Sequence, residues 1–299
     1  MRDLVVAAIC AFGIPLSLIK PFVGLLFYYW MSYFRPQDLS WGFARTFPWS
    51  KLIAIAMFIG ILFNSKIKLC RFSTITIVII LIWIFETAAV IFSLNVEASL
   101  VKYQLHVKIY FIALLTIGMV DSKKKITSVL LVVLFSLGFH GIKGAILGGV
   151  FHGGHIGRGP GGMIEDNNQF ALALLMALPI YYYFGEAEQR LRYKVTYFMT
   201  ALLNCICVLW THSRGSLLGV CSILFFISIT WKNKLWTVLF FFIAPILFFV
   251  IAPDSLINRY ATFQEIEKDA SAMSRFHSWE TAFYMGLRRP FTGIGPGNM

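Results

Sequence analysis

The sequence predicts an all-α polytopic membrane protein, and three observations predict it. Apolar residues make up 58% of the chain and charged residues only 13%, a mixture far from that of water-soluble domains. The mean hydropathy of +0.74 leaves too little polar surface to cover a soluble fold. Finally, the apolar residues fall in runs close to the roughly 20 residues that a membrane helix needs, and short loops between them hold most of the charge.

In chain order, the first two runs are 4–19 and 22–34, joined at Lys20-Pro21. They read either as a shallow hairpin or as one kinked span. A short third run covers 52–63, followed by 74–94, 105–120, 126–150, 167–184, 195–212, 214–230 and 235–252, so about nine or ten transmembrane helices are expected. Ile14-Pro15-Leu16 leads into further apolar sequence and not into a small-residue cleavage site, so no cleavable signal is read. Asp166 or Asn167 suits the N-cap of a helix starting near Gln169, and Ser213 suits the cap of one starting at Arg214.

The formal charge of +12 sits in inter-helix loops and not on one amphipathic face, which argues against nucleic acid as a partner. Clusters at Lys66, Lys68 and Arg71, at Lys123 to Lys125, at Arg190, Arg192 and Lys194, and at Lys232 and Lys234 occupy alternate loops. The positive-inside rule assigns these loops to the cytoplasm, so loops 35–51, 95–104, 151–168, 211–213 and 253–290 face outward. Each side carries eleven cations, and the difference lies in arrangement. The outward cations are mostly dispersed arginines beside Gly, Ser or aromatic residues, a pattern suited to binding an anion. Cys10, Cys70, Cys205, Cys207 and Cys221 lie in or beside apolar runs without CxxC spacing, so they read as packing residues and imply no disulfide framework. His152 and His155 lack a third ligand nearby, so no metal site is expected.

Three outward motifs stand out. The glycine-rich loop from Gly148 to Gly162 includes Arg158 and runs into Glu165-Asp166-Asn167-Asn168; it reads either as a flexible connector or as a loop that wraps a ligand. In Thr211-His212-Ser213-Arg214-Gly215, a guanidinium joins a helix N-terminus at one spot, which forms an anion seat or, alternatively, lets the arginine snorkel to lipid headgroups. In Asp269 to Trp279 and beyond, Met273, Phe276, Trp279, Phe283 and Leu287 recur at helical spacing, so an amphipathic helix is expected on the membrane surface. Arg275 and Trp279 share a face there, where cation and ring can support each other. The Gly293-Ile294-Gly295-Pro296-Gly297 turn that follows suggests a loop folded back over a site. Within the apolar runs, Glu86 and Lys143 are lone charges, and a structural Glu86–Lys143 or Glu86–His140 bond is expected. His106 and Lys108 read as interfacial.

Taken together, Arg158-Gly159-Pro160-Gly161, Glu165 to Leu172 with Pro179, the Ser213-Arg214-Gly215-Ser216 turn, and Asp269 through Arg275 and Trp279 to Pro290 and Gly293-Ile294-Gly295 resemble a known family. It is the O-glycosylation ligases associated with exosortase A systems, within the O-antigen ligase and polymerase superfamily. The resemblance covers the chain, with a subfamily-specific N-terminal region over 1–190 and a ligase core over 197–299. It implies a metal-independent and cofactor-free glycosyltransferase of the C-type helical fold in the bacterial inner membrane, with its active face periplasmic. Such an enzyme moves a glycan from a polyprenyl-diphosphate carrier to a hydroxyl acceptor on protein or lipid. Polymerases of the same superfamily, transporters of the lipid-linked glycan and non-catalytic scaffolds are the competing readings. By motif, Arg214 and Arg275 correspond to the arginines that hold the donor diphosphate, and Arg158, Ser213, Asp166 and Trp279 are further candidate substrate-binding residues. The family's functional histidine follows the glycine turn, and the sequence reaches Met299 without it. The resemblance therefore implies a C-terminally incomplete chain, inactive alone, with His277 in the wrong motif to substitute.

Overall fold

A computed structural model of the chain describes residues 1–64, 71–151, 156–230 and 270–298. The expected apolar helix at 235–252 lies outside the described residues, as do His152, His155, Cys70, the lysines at 66, 68, 232 and 234, and loop residues 253–269. The described residues form helices α1 (Arg2–Ile19), α2 (Pro21–Tyr33), α3 (Phe43–Thr46), α4 (Trp49–Leu62), α5 (Thr74–Ile91), α6 (Val96–Met119), α7 (Lys123–Phe151), α8 (Asn167–Ala187), α9 (Leu191–Trp210), α10 (Arg214–Ile229) and α11 (Ala270–Arg288). Two 3-10 turns, Pro36–Leu39 and Gly162–Ile164, complete them, and no β-strand occurs among the described residues. Among the described residues, six helices (α1, α5, α6, α7, α8 and α9) are long and apolar enough to cross a membrane. The protein is an all-α polytopic membrane protein. Each of the nine apolar runs that fall on described residues is a helix, but α2, α4 and α10 have only 13, 14 and 16 residues.

The chain divides into two compact units, 1–60 with 126–261 and 61–125 with 262–299. In the first, α1 and α2 form a helical hairpin, which decides between the two sequence readings. Lys20 leaves helical geometry and Pro21 opens α2 at a position that needs no N–H donor. The helices then pack antiparallel through small residues: a Cβ on Gly13 would strike Phe27, and one on Gly24 would strike Ser17. Asp3 fastens the connection after α2 to the start of α1 by accepting Gly42 N (2.9 Å) and Ala44 N (3.1 Å), while Trp49 Nε1 donates to Ala44 O (2.8 Å). Ala44 and Trp49 are buried there with Val6, Cys10, Met31 and Ile53.

The larger core of this unit lies among α7, α8, α9 and α10, around Leu134, Leu137, Phe170, Leu174, Leu178, Cys207, Val208 and Val220. Lipid tails are as apolar as leucine, so membrane helices associate through close packing of small residues. Here Gly138, Gly141, Gly144 and Gly148 make one ridge of α7, against which sit Tyr181, Asn204, Cys207 and, at Gly148, Ile156 with Trp210. Tyr181 also donates its hydroxyl to Leu134 O.

The second unit contains α5, α6 and α11. Ser73 and Asn95 cap α5 and α6 by accepting Thr76 N (3.2 Å) and Ala98 N (3.1 Å). At one end of the pair, Asp121 bridges Arg71 (3.6 Å) and Lys125 (2.9 Å), joining two of the loops that charge clustering assigned to one side. Between the helices, Glu86 is held by His106 Nδ1 (2.5 Å) and by the Tyr110 hydroxyl (2.6 Å). This corrects the expected Glu86–Lys143 or Glu86–His140 bond. Glu86 has both carboxylate oxygens satisfied by residues one turn apart on its neighbouring helix, and His140 Nε2 is 2.8 Å from Phe34 O.

Candidate functional site

Three loops of the first unit that the charge pattern assigned to one side meet at one end of it. The sequence reason begins at α8. Asp166 is its N-cap, with Oδ1 accepting Asn168 N (2.8 Å) and Gln169 N (3.3 Å). Asp166 also forms an isolated antiparallel bridge with Arg158, and Gly159 N donates to Glu165 O (2.7 Å), so residues 158–166 close into a compact loop. Asn167 Nδ2 reaches across to Thr211 O (3.0 Å), and Ile156 N to Trp210 O (2.7 Å). The loop that carries Arg158 and Asp166 is thereby tied to the Thr211–Ser213 hairpin.

That hairpin is built from buried polar residues. Thr211 is fully buried, and His212 and Ser213 are nearly so. His212 takes a positive φ of 52°, uncommon for a residue other than glycine, which turns the chain sharply between α9 and α10. Ser213 caps α10 by accepting Ser216 N (3.3 Å), and Ser216 Oγ returns a bond to Ser213 O (2.6 Å). Arg214 is the first residue of α10, at the end where free N–H groups and the positive dipole favour an anion. Its side chain lies outside what is described.

The third loop follows α2. Arg35 adopts φ 51°, ψ 58°, and its guanidinium pairs with Asp38 three residues on. This pair lies against Gly161 and Gly162, whose φ values of +117° and +60° suit glycine; a Cβ on Gly162 would strike Arg35. Part of the glycine-rich loop thus wraps a neighbouring arginine of the same unit. Between the 35–39 turn, α7 and the 158–160 segment lies a cavity of about 230 Å³, lined by Arg35, Asp38, His140, Lys143 and Arg158 among apolar walls. His140 Nε2–H is directed at the Phe34 carbonyl, and the ring is buried.

Arg275 and Trp279 belong to the second unit, on the exposed surface of α11. The expected amphipathic helix is present, with Phe276, Trp279, Phe283 and Leu287 each half or more exposed along one side. Trp279 packs edge-on against Phe276, with centroids 5.5 Å apart, and among the described residues no cation lies over its ring. The expected Arg275–Trp279 support is therefore replaced by an aromatic pair, which the i,i+3 spacing favours equally. The glycine turn after α11 is seated on the α5–α6 connection. Ile294 O accepts Leu94 N (3.1 Å), Asn298 Nδ2 donates to Ser99 Oγ (3.1 Å), and Arg289 Nη1 donates to Phe92 O (3.1 Å). Gly293, Gly295 and Gly297 all have positive φ, and a Cβ on Gly295 would strike Ser93.

Sequence reasoning did not place Arg35, Asp38 or Lys143 at a site. Arg35-Pro36-Gln37-Asp38 carries an i,i+3 charge pair that is legible, but its proximity to a loop more than 120 residues later is not. Among the described residues, no cluster of three or more His, Cys, Asp or Glu could hold a metal ion.

No curated protein and no solved structure matches the chain. Two family models do: a family of unknown function, DUF5935, over residues 1–188, and the O-antigen ligase model over residues 199–299. The second match supports a membrane protein of the glycan ligase and polymerase type and fits a bilayer and a lipid-linked glycan as surroundings and substrate. With the first model spanning well over half its length, the chain belongs to the DUF5935 family, and its C-terminal third carries an O-antigen ligase domain.

Proposed function

We propose that the protein transfers a glycan from a polyprenyl-diphosphate carrier to a hydroxyl acceptor, with protein side chains as the acceptor in this exosortase-associated branch. The O-antigen ligase match over residues 199–299 carries this reading, because it contains both Ser213-Arg214-Gly215 and the Arg275 helix. The anomeric carbon of the donor loses a diphosphate, so negative charge develops on the leaving oxygen as the bond breaks. Arg214 and Arg275 stabilise that charge with preorganised, charge-assisted donors, and Arg214 adds the open N-terminus of α10. Ser213 holds the turn that presents Arg214, Asp166 and Arg158 hold the loop against it, and Trp279 anchors α11 at the lipid interface. No metal ion is needed for this chemistry, since the guanidinium groups do the work of a Lewis acid. A guanidinium stays protonated, so neither arginine takes the acceptor proton; as the acceptor oxygen bonds to the anomeric carbon, that proton passes to solvent or to an oxygen of the departing diphosphate. The reaction takes place on the periplasmic face of the inner membrane.

The experiment uses full-length protein in proteoliposomes with labelled lipid-linked glycan, a hydroxyl-bearing acceptor and a chelator. Arg214→Ala and Arg275→Ala should each lower transfer at least about 100-fold, the scale seen when one preorganised donor to a developing oxyanion is removed. Label that only lengthens the lipid-linked chain would assign polymerisation instead. Label that crosses the bilayer without transfer would assign transport, and a fully active double variant would leave the arginines without a role.

A further inference from the structure

The cavity between the 35–39 turn, α7 and the 158–160 segment holds an unbalanced charge. Arg35, Lys143 and Arg158 face one carboxylate, Asp38, which is already paired with Arg35. Asp166 is used in capping α8, and neither Lys143 nor Arg158 forms an ion pair with any described carboxylate. His140 offers no compensating charge, since an imidazole is never anionic; its Nε2 lies 2.8 Å from Phe34 O. A lone cation on a membrane helix is costly and ordinarily finds a partner. Lys143 lies eight residues before the end of α7, about 12 Å along the axis, so its ammonium starts from below the helix end and not from a loop. The remaining walls, Leu147, Ile156 and Phe170, are apolar. At about 230 Å³ the space is below the usual range for a whole ligand and suits a headgroup.

We propose that this cavity is a binding site for the phosphate or diphosphate head of a membrane-borne lipid, with Lys143 and Arg158 as its two charge-bearing donors. The Arg35–Asp38 pair is the frame that holds the 161–162 turn and keeps Arg158 beside α7. The surplus of two positive charges matches a phosphate-class oxyanion, and the apolar walls match the first part of the chain attached to it. These residues lie outside the O-antigen ligase match and are distinct from Arg214 and Arg275. Naming the polyprenyl carrier as the physiological occupant rests on the transfer reading above; the site itself does not.

The test measures binding of three probes to the full-length protein in detergent without acceptor: polyprenyl diphosphate, phosphatidylglycerol and inorganic diphosphate. Lys143→Gln and Arg158→Gln should each weaken polyprenyl diphosphate binding about tenfold or more, and Lys143→Arg should restore most of it. Thermal unfolding of each variant identifies any that is misfolded, and for such a variant Lys143→Arg and Arg158→Lys supply the comparison. Loss confined to phosphatidylglycerol would support the oxyanion site and assign it to bulk lipid. Wild-type affinity for every probe in both glutamine variants would overturn the proposal. Charge-dependent binding without any transfer to acceptor would sink the transfer reading and leave this site standing, while transfer abolished by Arg214→Ala but untouched in both glutamine variants, with unchanged binding, would do the reverse.

Discussion

Replacing Asn167 by aspartate isolates the contact that ties the start of α8 to the Thr211–Ser213 hairpin. The two side chains are nearly the same size, but the carboxylate has no hydrogen to give to Thr211 O, which Asn167 Nδ2 reaches at 3.0 Å. Thr211 is fully buried and Asn167 half-buried, so water replaces the lost donor only in part. Leaving a buried carbonyl unsatisfied costs about 1–3 kcal/mol. Against this, a negative charge in the first turn of a helix is favourable by about 0.3–1 kcal/mol. The burial term wins, and Asn167→Asp should be about 1–2 kcal/mol less stable than wild type, a factor of roughly 5–30 in the folded population. Asn167→Ala should be destabilised at least as much, because it loses the donor to Thr211 O without gaining the favourable first-turn charge. A thiol-reactive fluorophore suits the measurement, because Cys10 and Cys207 are fully buried and react only on unfolding, whereas Cys221 is exposed and reacts from the start. If Asn167→Asp left the unfolding midpoint unchanged or raised it, the tie to the hairpin would have to be abandoned and Asn167 read as an ordinary first-turn residue.

Gly141→Ala should destabilise the first unit by about 1–3 kcal/mol, because the new methyl lands on the carboxamide of fully buried Asn204; the unfolding midpoint of the same thiol assay reads it. Gly286→Ala, within α11 and with nothing inside 4 Å, should stabilise its helix by about 0.5–1 kcal/mol, read as increased helicity by circular dichroism. Gly162→Ala should cost at least about 1–2 kcal/mol from its φ of +60° alone, and its contact with Arg35 should also raise protease cleavage in the 156–166 loop. The Asp121 carboxyl is held below its ordinary value by the Lys125 hydrogen bond, with the charges of Lys125 and Arg71 adding to the effect. A lowered folded-state value means its contribution is present above about pH 3.9 and drains as the pH falls through the depressed value. Wild type should therefore lose its stability advantage over Asp121→Asn in that acid range, followed by unfolding against pH.

Helix positions were legible because the bilayer imposes a length and a composition on each segment, and Asp166 and Ser213 were legible as caps because their chemistry is local. The α1–α2 connection was not, since Lys20-Pro21 is compatible with both a kink and a hairpin until Gly13 meets Phe27 and Gly24 meets Ser17. Glu86 was misassigned for a related reason. Lone charges in apolar runs announce that a partner exists, but His106 and Tyr110 become that partner only through the rotation of α6 against α5. The cavity residues lie further still from local signals: Lys143 reads as an isolated charge, and only the packing of α7 beside two distant loops brings it to one space with Arg158.

The most direct measurement follows a doubly labelled substrate, with one isotope in the glycan and another in the polyprenyl diphosphate, through a single incubation of full-length protein with a hydroxyl acceptor. Glycan transfer predicts that the glycan label moves to the acceptor in step with release of polyprenyl diphosphate, and that both stop together in Arg214→Ala. Acceptor that stays unlabelled while the two isotopes remain on one lipid molecule would contradict it.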